Sequence, residues 1–167
     1  MIRLALAVIL CTVSFAMSAQ TITGTFKEFA LFGKANIEVI FADASIHGMQ
    51  EEDFAVVERD WYKDKPEIVC DFIGGVAEKM KDRFTIGTRL STPYQIKVYV
   101  QNISKKGDYT CDAIFFKDEM EIASIKSIKA DGGTFGTKLN LIKDGAEHTG
   151  EKLGKMLCIM IKKVRKK

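Results

Sequence analysis

Residues 94–102, Tyr-Gln-Ile-Lys-Val-Tyr-Val-Gln-Asn, decide the fold. Tyr94 and every second residue after it as far as Val100 are apolar or aromatic, whereas the side chains between them carry polar groups. This period of two is typical of a β-strand with one face in the core and the other in water. The face predicted to be wet carries Gln95, Lys97, Tyr99 and Gln101.

Two further strands are predicted directly after this one. Residues 105–108, Lys-Lys-Gly-Asp, form a turn that leads into a strand over residues 109–116, and residues 117–119 form a second turn before a strand over about residues 120–129. Glycine and aspartate favour such turns because they tolerate left-handed backbone. Because both connections are short, we expect the three strands to form an antiparallel meander.

Upstream of the meander the pattern predicts a strand, two helices and a short strand. Ile37, Val39 and Phe41 alternate with outward positions in a strand over residues 35–44. Apolar residues at spacings of three and four predict a helix over residues 50–60. A second helix is predicted from Asp64 to about residue 82, and residues 84–88 form the short strand.

The last predicted element is a helix over residues 135–162, whose apolar stripe begins at Phe135. Ala146, Gly150 and Gly154 recur every four residues, and we interpret this row as the side that lies close on the sheet. The element order predicts an α+β fold: a two-layer α/β sandwich, with a mixed sheet that contains an antiparallel meander and two main helices on one face.

The N-terminus has the anatomy of a secretory signal. Arg3 precedes an apolar run over residues 4–15, and small residues precede Gln20. Lipid attachment at Cys11 is the less favoured alternative, because the large Leu10 precedes it. We divide the chain into a signal peptide (1–19), an N-terminal extension (20–34), one α/β domain (35–163) and a basic tail (164–167).

Composition narrows the function classes. The chain is 47% hydrophobic and 28% charged, and removal of Arg3 lowers its formal net charge from +3 to about +2, so we expect no nucleic-acid partner. The apolar run is shorter than the ~20 residues that span a bilayer, so we expect no transmembrane segment in the mature chain. The predicted location is the periplasm or the extracellular space, with association with the outer membrane as a further option.

Three cysteines, Cys70, Cys111 and Cys158, follow the predicted signal. They allow at most one internal disulfide, in one of three pairings. Each lies in or beside an apolar pattern and far in sequence from a histidine, so we predict buried, unreactive thiols.

Three segments of the sequence carry a resemblance. These are residues 37–41, residues 61–68 (Trp-Tyr-Lys-Asp-Lys-Pro-Glu-Ile) and residues 132–140 (Gly-Gly-Thr-Phe-Gly-Thr-Lys-Leu-Asn). Over residues 35–162 the chain resembles small exported proteins of unknown function from Gram-negative gut-type bacteria. More distantly, its element order is similar to the α/β domain of periplasmic and outer-membrane assembly proteins such as the amino-terminal domain of TolB and CsgG. The resemblance implies a fold and an envelope location, and it supplies no catalytic residues.

A glycine-rich turn precedes the final helix. Residues 131–138, Asp-Gly-Gly-Thr-Phe-Gly-Thr-Lys, form a candidate anion site at Gly133, Thr134 and Lys138, because amides at a helix start attract negative charge. The spacing differs from that of a P-loop. The favoured interpretation is a turn capped by Thr134 or Asp131.

The histidines, His47 and His148, do not form a metal signature. Asp144 and Glu151 stand at helical spacing from His148, but such a group on one helix is typical of a solvated charged face. We therefore predict no metal and no cofactor.

Aromatic residues with one polar end favour recognition. The leading prediction is a non-enzymatic exported domain that binds an envelope protein or polymer. Its predicted contacts are Trp61, Tyr62, Lys97 and Tyr99. The competing interpretation of Trp61 is a residue that closes the edge of the core.

The alternative function is a small-ligand or anion-binding module that uses the turn at 131–138. An enzyme ranks third because the mature sequence lacks a nucleophile elbow.

Overall fold

The computed structural model describes residues 20–166, so the predicted signal peptide and the last residue of the basic tail lie outside the described residues. The model confirms an α+β sandwich built on a mixed sheet. A single turn of 3₁₀ helix, Lys81–Arg83, follows the third helix. In chain order the elements are β1 (Thr21–Gly24), α1 (Lys27–Phe32), β2 (Lys34–Ile40), β3 (Ser45–Ile46), α2 (Glu51–Val57), α3 (Trp61–Met80), β4 (Thr85–Gly87), β5 (Tyr94–Ile103), β6 (Tyr109–Lys117), β7 (Met120–Ala130) and α4 (Lys138–Arg165).

The seven strands form one sheet in the order β1-β7-β6-β5-β2-β4, and β3 pairs with the far end of β5. The β5-β6-β7 meander is antiparallel, as predicted, and β1 adds to it antiparallel to β7. β2 runs parallel to both of its neighbours, β5 and β4. β4 pairs with Lys34–Asn36, so among the strands of residues 20–166 the second half of β2 has a neighbour on one side only, which is β5.

The predicted alternation in β5 is confirmed. Ile96 and Val98 are completely buried, whereas Lys97 and Tyr99 on the opposite face are half-buried. α3 and α4 bury the inner face, the one that carries Ile96 and Val98. The sequence signal was strong because β5 has a paired strand on both sides and one dry face.

Residues 20–34, predicted as an extension, contribute to the fold through the edge strand β1 and the helix α1. The buried Phe29 of α1 stacks on Phe84, with 4.6 Å between ring centroids, and meets Phe115 edge to face at 5.2 Å. At the other end of the chain, Arg165 Nη2 donates to the Ala30 carbonyl at 3.3 Å and to the Arg83 carbonyl at 3.0 Å. Residues 20–34 therefore contribute to the sheet and the core, and Arg165 ties the end of α4 to α1.

The start of α4 differs from its predicted position. Thr137 is the N-cap, and its hydroxyl accepts a hydrogen bond from the Asn140 amide at 3.3 Å. This cap satisfies a free amide of the first helical turn, so the helix begins after it. Phe135, predicted as the first residue of the apolar stripe, lies before the helix and is 88% exposed.

The small-residue row of α4 packs against α3, and its predicted contact with the sheet is wrong. A Cβ at Gly150 would lie 2.0 Å from the Phe72 carbonyl oxygen, and one at Gly154 would lie 2.7 Å from that of Val76. Gly75 of α3 makes the reciprocal approach, because its Cβ would lie 2.5 Å from the Glu147 carbonyl oxygen. The two helices thus meet backbone to backbone. Within residues 20–166, no helix combines the length and the apolar character needed to cross a membrane.

Candidate interaction surface

The sheet has an open face, which we define as the outward side chains of β2, β5 and β6. β2, β5 and β6 place two rows of residues across it: Glu38 beside Lys97 and Ile114, and Ile40 beside Tyr99 and Asp112. These side chains are half-buried or exposed, in contrast to the dry inner face. The open face is a flat surface that combines both charges with aromatic and aliphatic groups.

Hydrogen bonds tie its polar side chains together in pairs. Gln95 Nε2 donates to Glu38 Oε2 at 3.1 Å, and Gln101 Nε2 donates to Asp112 Oδ2 at 2.9 Å. The ammonium of Lys97 lies 5.3 Å from the centre of the Phe116 ring, within the range of a cation–π interaction. These contacts hold the side chains in place without neutralising the charges of Glu38, Asp112 and Lys97.

Of the predicted partner contacts, the structure places Lys97 and Tyr99 on the open face and Tyr62 elsewhere. Tyr62 lies in the first turn of α3 and is 58% exposed. Trp61 is completely buried: its ring meets Phe41 and Phe54 edge to face, with centroids at 5.7 and 5.3 Å. Trp61 therefore closes the core edge, and the prediction of a surface contact is corrected for this residue.

The polar end of Trp61 is satisfied inside the protein. The indole N–H donates to Glu51 Oε1 at 2.8 Å, and Lys65 Nζ binds the same oxygen at 2.5 Å. Glu51 begins α2, so this group joins the starts of α2 and α3. The sequence carried no periodic signal for this contact, since the two residues belong to different helices.

Two amides of the glycine turn at 131–138 have hydrogen-bond partners inside the protein. The Gly132 amide donates to Asp108 Oδ1 at 2.8 Å, and the Gly133 amide donates to the Leu141 carbonyl at 3.3 Å, so both donors are used. The Gly132 amide and the Ser104 hydroxyl lower the pKa of Asp108. A Cβ at Gly133 would also lie 2.3 Å from a carboxylate oxygen of Asp144, and this carboxylate would repel an anion.

Thr134 and Lys138, the other two residues of the candidate anion site, have different surroundings. Thr134 is exposed, and the N-cap role predicted for it or for Asp131 belongs to Thr137. Lys138 stands 3.9 Å from Glu58 and faces an open cleft that also contains His47 and Lys105. The hydrogen bond from the Gly132 amide to Asp108 therefore fixes the chain directly before α4.

The two histidines lie apart. His47, with a left-handed φ of 55°, places its ring edge to face on Phe54, with 5.0 Å between centroids. Burial, followed by the charges of Lys138 and Lys105, lowers the pKa of His47. His148 Nδ1 lies 3.1 Å from the Asp131 carbonyl oxygen.

An acidic cluster was missed by the sequence reasoning, because its members come from two helices. Glu78 of α3 meets Glu147 and Glu151 of α4. Lys79 bridges the cluster at 3.0 Å from Glu78 and 2.9 Å from Glu151, and Lys79 and Lys155 lower the pKa of Glu151. The ammonium groups therefore already neutralise much of the charge that would attract a cation.

The cysteines differ in exposure. Cys111 and Cys158 are buried, as predicted, and burial raises the pKa of Cys111 to about 12. Cys70 is exposed, so the prediction is wrong for this residue. It stands two residues from both Ile68 and Phe72 on α3, and two helical steps of about 100° turn it away from their buried side. All three are free thiols.

A cleft of about 580 Å³ lies where β2 extends beyond β4, and no sequence pattern indicates it. It is bordered by Ile37–Val39 of the strand, by Val69 and Ile73 of α3, and by the turn between β6 and β7. The segment after β4 is held near it, since the Asn36 amide side chain bonds the Leu90 backbone at 3.0 and 2.7 Å. The cleft arises from the short length of β4, for which the sequence offers only a weak signal.

The comparisons with known proteins assign no family to the chain. No family model matches the chain, and no curated protein matches it. Among solved structures, the chain is similar to protein XCC0632 from Xanthomonas campestris, of family DUF330, with a TM-score of 0.42 and 10% identity over 80% of this chain and 87% of that one. A similarity at this level carries no argument about function.

Proposed function

We propose that the chain is an exported, non-enzymatic domain that binds an envelope protein or polymer through the open face of its sheet. The observation that carries the proposal is the contrast between the two faces: helices cover one, and the other presents Tyr99 and Lys97 among ordered polar side chains. An aromatic ring with a polar end is an effective anchor in a protein interface, since it buries area at a small entropy cost.

The open face suits recognition more than catalysis. It is flat, and its carboxylates are engaged in the pairs Gln95–Glu38 and Gln101–Asp112. A mixed polar and aromatic surface of this kind resembles the rim and core composition of transient interfaces. Export to the periplasm or the extracellular space belongs to the same proposal, and its support is the pattern of residues 1–19.

The test is site-specific photo-crosslinking in the native envelope. A crosslinking amino acid at position 99 should give a discrete adduct, and Lys97→Glu in the same chain should reduce it strongly, because it reverses a charge beside the anchor. The same amino acid at position 62 is the control, since Tyr62 is an exposed tyrosine that lies away from the open face. Adducts at position 62 and none at position 99 would move the contact to the start of α3. No adduct at either position would contradict partner binding by these surfaces.

A further inference from the structure

The open edge of β2 has unpaired backbone groups that can be assigned. A strand directs the N–H and C=O groups of alternate residues to its two edges. The Gly33 carbonyl, directly before β2, accepts from the Thr85 amide of β4 at 2.8 Å. By alternation, the backbone groups of Ala35, Ile37 and Val39 also face the side of β4.

β4 is too short to use all of them. Its last residue, Gly87, stands opposite Asn36. In this parallel register the Gly87 carbonyl accepts from the Ile37 amide. The Ile37 carbonyl, the Val39 amide and the Val39 carbonyl therefore face an edge to which no strand within residues 20–166 is added. Such an edge is a template for another strand.

The cleft beside this edge has one apolar wall. Val69 and Ile73 stand one turn apart on α3, and both are partly buried side chains at the border of the core. Side chains of a strand point alternately to its two faces. An added strand would therefore place every second side chain against this wall and the others toward the open face.

The charged residues that line the cleft are all acidic: Glu38, Asp118 and Glu119. The last two form the turn between β6 and β7, with left-handed φ values of 47° and 68°. The Asp118 amide donates to the Pro93 carbonyl at 3.0 Å, which fixes the turn beside the cleft. Carboxylates along the cleft, Glu38 on β2 itself and the other two across β5 from it, favour an occupant with a cationic end.

We propose that the edge of β2 at Ile37–Val39 binds an extended segment of a partner protein as an added strand, with β-branched residues at alternate positions and a lysine or arginine near its end. Main-chain hydrogen bonds to Val39 supply affinity, whereas the apolar wall and the carboxylates supply selectivity. The edge lies beside the open face, and its occupant does not depend on a contact at Tyr99.

The probe is a fluorescent heptapeptide, Lys-Val-Thr-Val-Thr-Val-Lys, and its counterpart carries glutamate in place of both lysines. Amide hydrogen exchange should show fast exchange at Val39 in the free protein, slower exchange with the lysine peptide and no change with the glutamate peptide. Fluorescence anisotropy should show that Glu38→Lys weakens binding of the lysine peptide roughly tenfold. Glu52→Lys is the matched control, because Glu52 is an exposed glutamate on α2.

Several outcomes would overturn the proposal. Slow exchange at Val39 in the free protein would show that the edge is already paired. Equal binding of both peptides, or unchanged binding to the Glu38→Lys variant, would remove the role of the carboxylates. Absence of binding by the lysine peptide would show that the edge accepts no added strand, and Glu38 would then be a charge that protects the edge from pairing. Tyr99→Ala should leave peptide affinity within about twofold, so failure at the edge and failure at the open face are distinguishable.

Discussion

The two faces of the sheet are stabilised in different ways. On the inner side α3 and α4 approach so closely that glycine hydrogens meet carbonyl oxygens, and a single added carbon has no room. On the outer side the contacts are hydrogen bonds and a cation–π pair between side chains that water reaches. Stability should therefore depend on the helix seam and binding on the open face, and substitutions should separate the two.

The seam between α3 and α4 should give the largest effect. Gly150→Val places branched carbons where the first would lie 2.0 Å from the Phe72 carbonyl oxygen, so the helices must separate. We expect a loss of about 3 kcal/mol or more in the free energy of unfolding, measured by urea denaturation. Gly74→Ala is the control, since nothing lies within 4 Å of its Cβ, and it should stabilise α3 by about 0.5–1 kcal/mol. Equal effects of the two would contradict the close seam.

Trp61→Ala should destabilise nearly as much. The side chain is fully buried between Phe41 and Phe54, and its loss leaves a cavity at the start of α3. We expect about 3–5 kcal/mol from thermal or urea unfolding. Tyr62→Ala is the neighbouring control and should change stability by less than about 0.5 kcal/mol, because Tyr62 is exposed. A small effect at Trp61 would return it to the candidate contacts.

The turn at Asp108 should give a pH-dependent effect. Hydrogen bonds from the Gly132 amide and the Ser104 hydroxyl lower the pKa of Asp108 in the folded state. Its contribution to stability is thus complete above the unfolded pKa of about 4 and is lost as the pH falls through the lower folded value. Asp108→Asn should flatten the fall in melting temperature below about pH 4. Asp53→Asn, an exposed change on α2, should leave that fall as it is in the parent chain.

The open face should give the smallest change in stability. Tyr99→Ala removes a half-buried ring from a strand paired on both sides, and we expect a shift of about 1 kcal/mol in the free energy of unfolding. The same variant should lose most partner binding if Tyr99 is the anchor. A large loss of stability would show that the open face also holds the sheet together.

The sequence predicted the elements more reliably than their neighbours. Alternation in β5 correctly separated Ile96 and Val98 from Lys97 and Tyr99, because the period of a strand is independent of what packs on it. The small-residue row of α4 correctly indicated a close approach, but a glycine row looks the same whether a sheet or a helix lies against it. Only the fold shows that the partner is α3.

The candidate site could be predicted in part for a similar reason. The wet face of β5 followed from its pattern, whereas Trp61 was ambiguous because an aromatic residue at a helix start suits both a core edge and a contact. The cleft could not be predicted. It depends on β4 ending three residues along β2, and a difference in length between two strands leaves no periodic signal.

The first and last described parts of the chain depend on each other. Thr23 of β1 hydrogen-bonds Ser124 of β7, 101 residues later, and Arg165 holds the Ala30 carbonyl across 135 residues. Contacts between residues so far apart in sequence form late in folding, because the long intervening chain must first be brought together at an entropy cost. A chain synthesised from its N-terminus would therefore emerge with β1 unpaired until β7 is complete, and the contact of Arg165 with the Ala30 carbonyl forms only after that. The consequence is that the sheet reaches its full width only late in synthesis, although β1 is the first strand made.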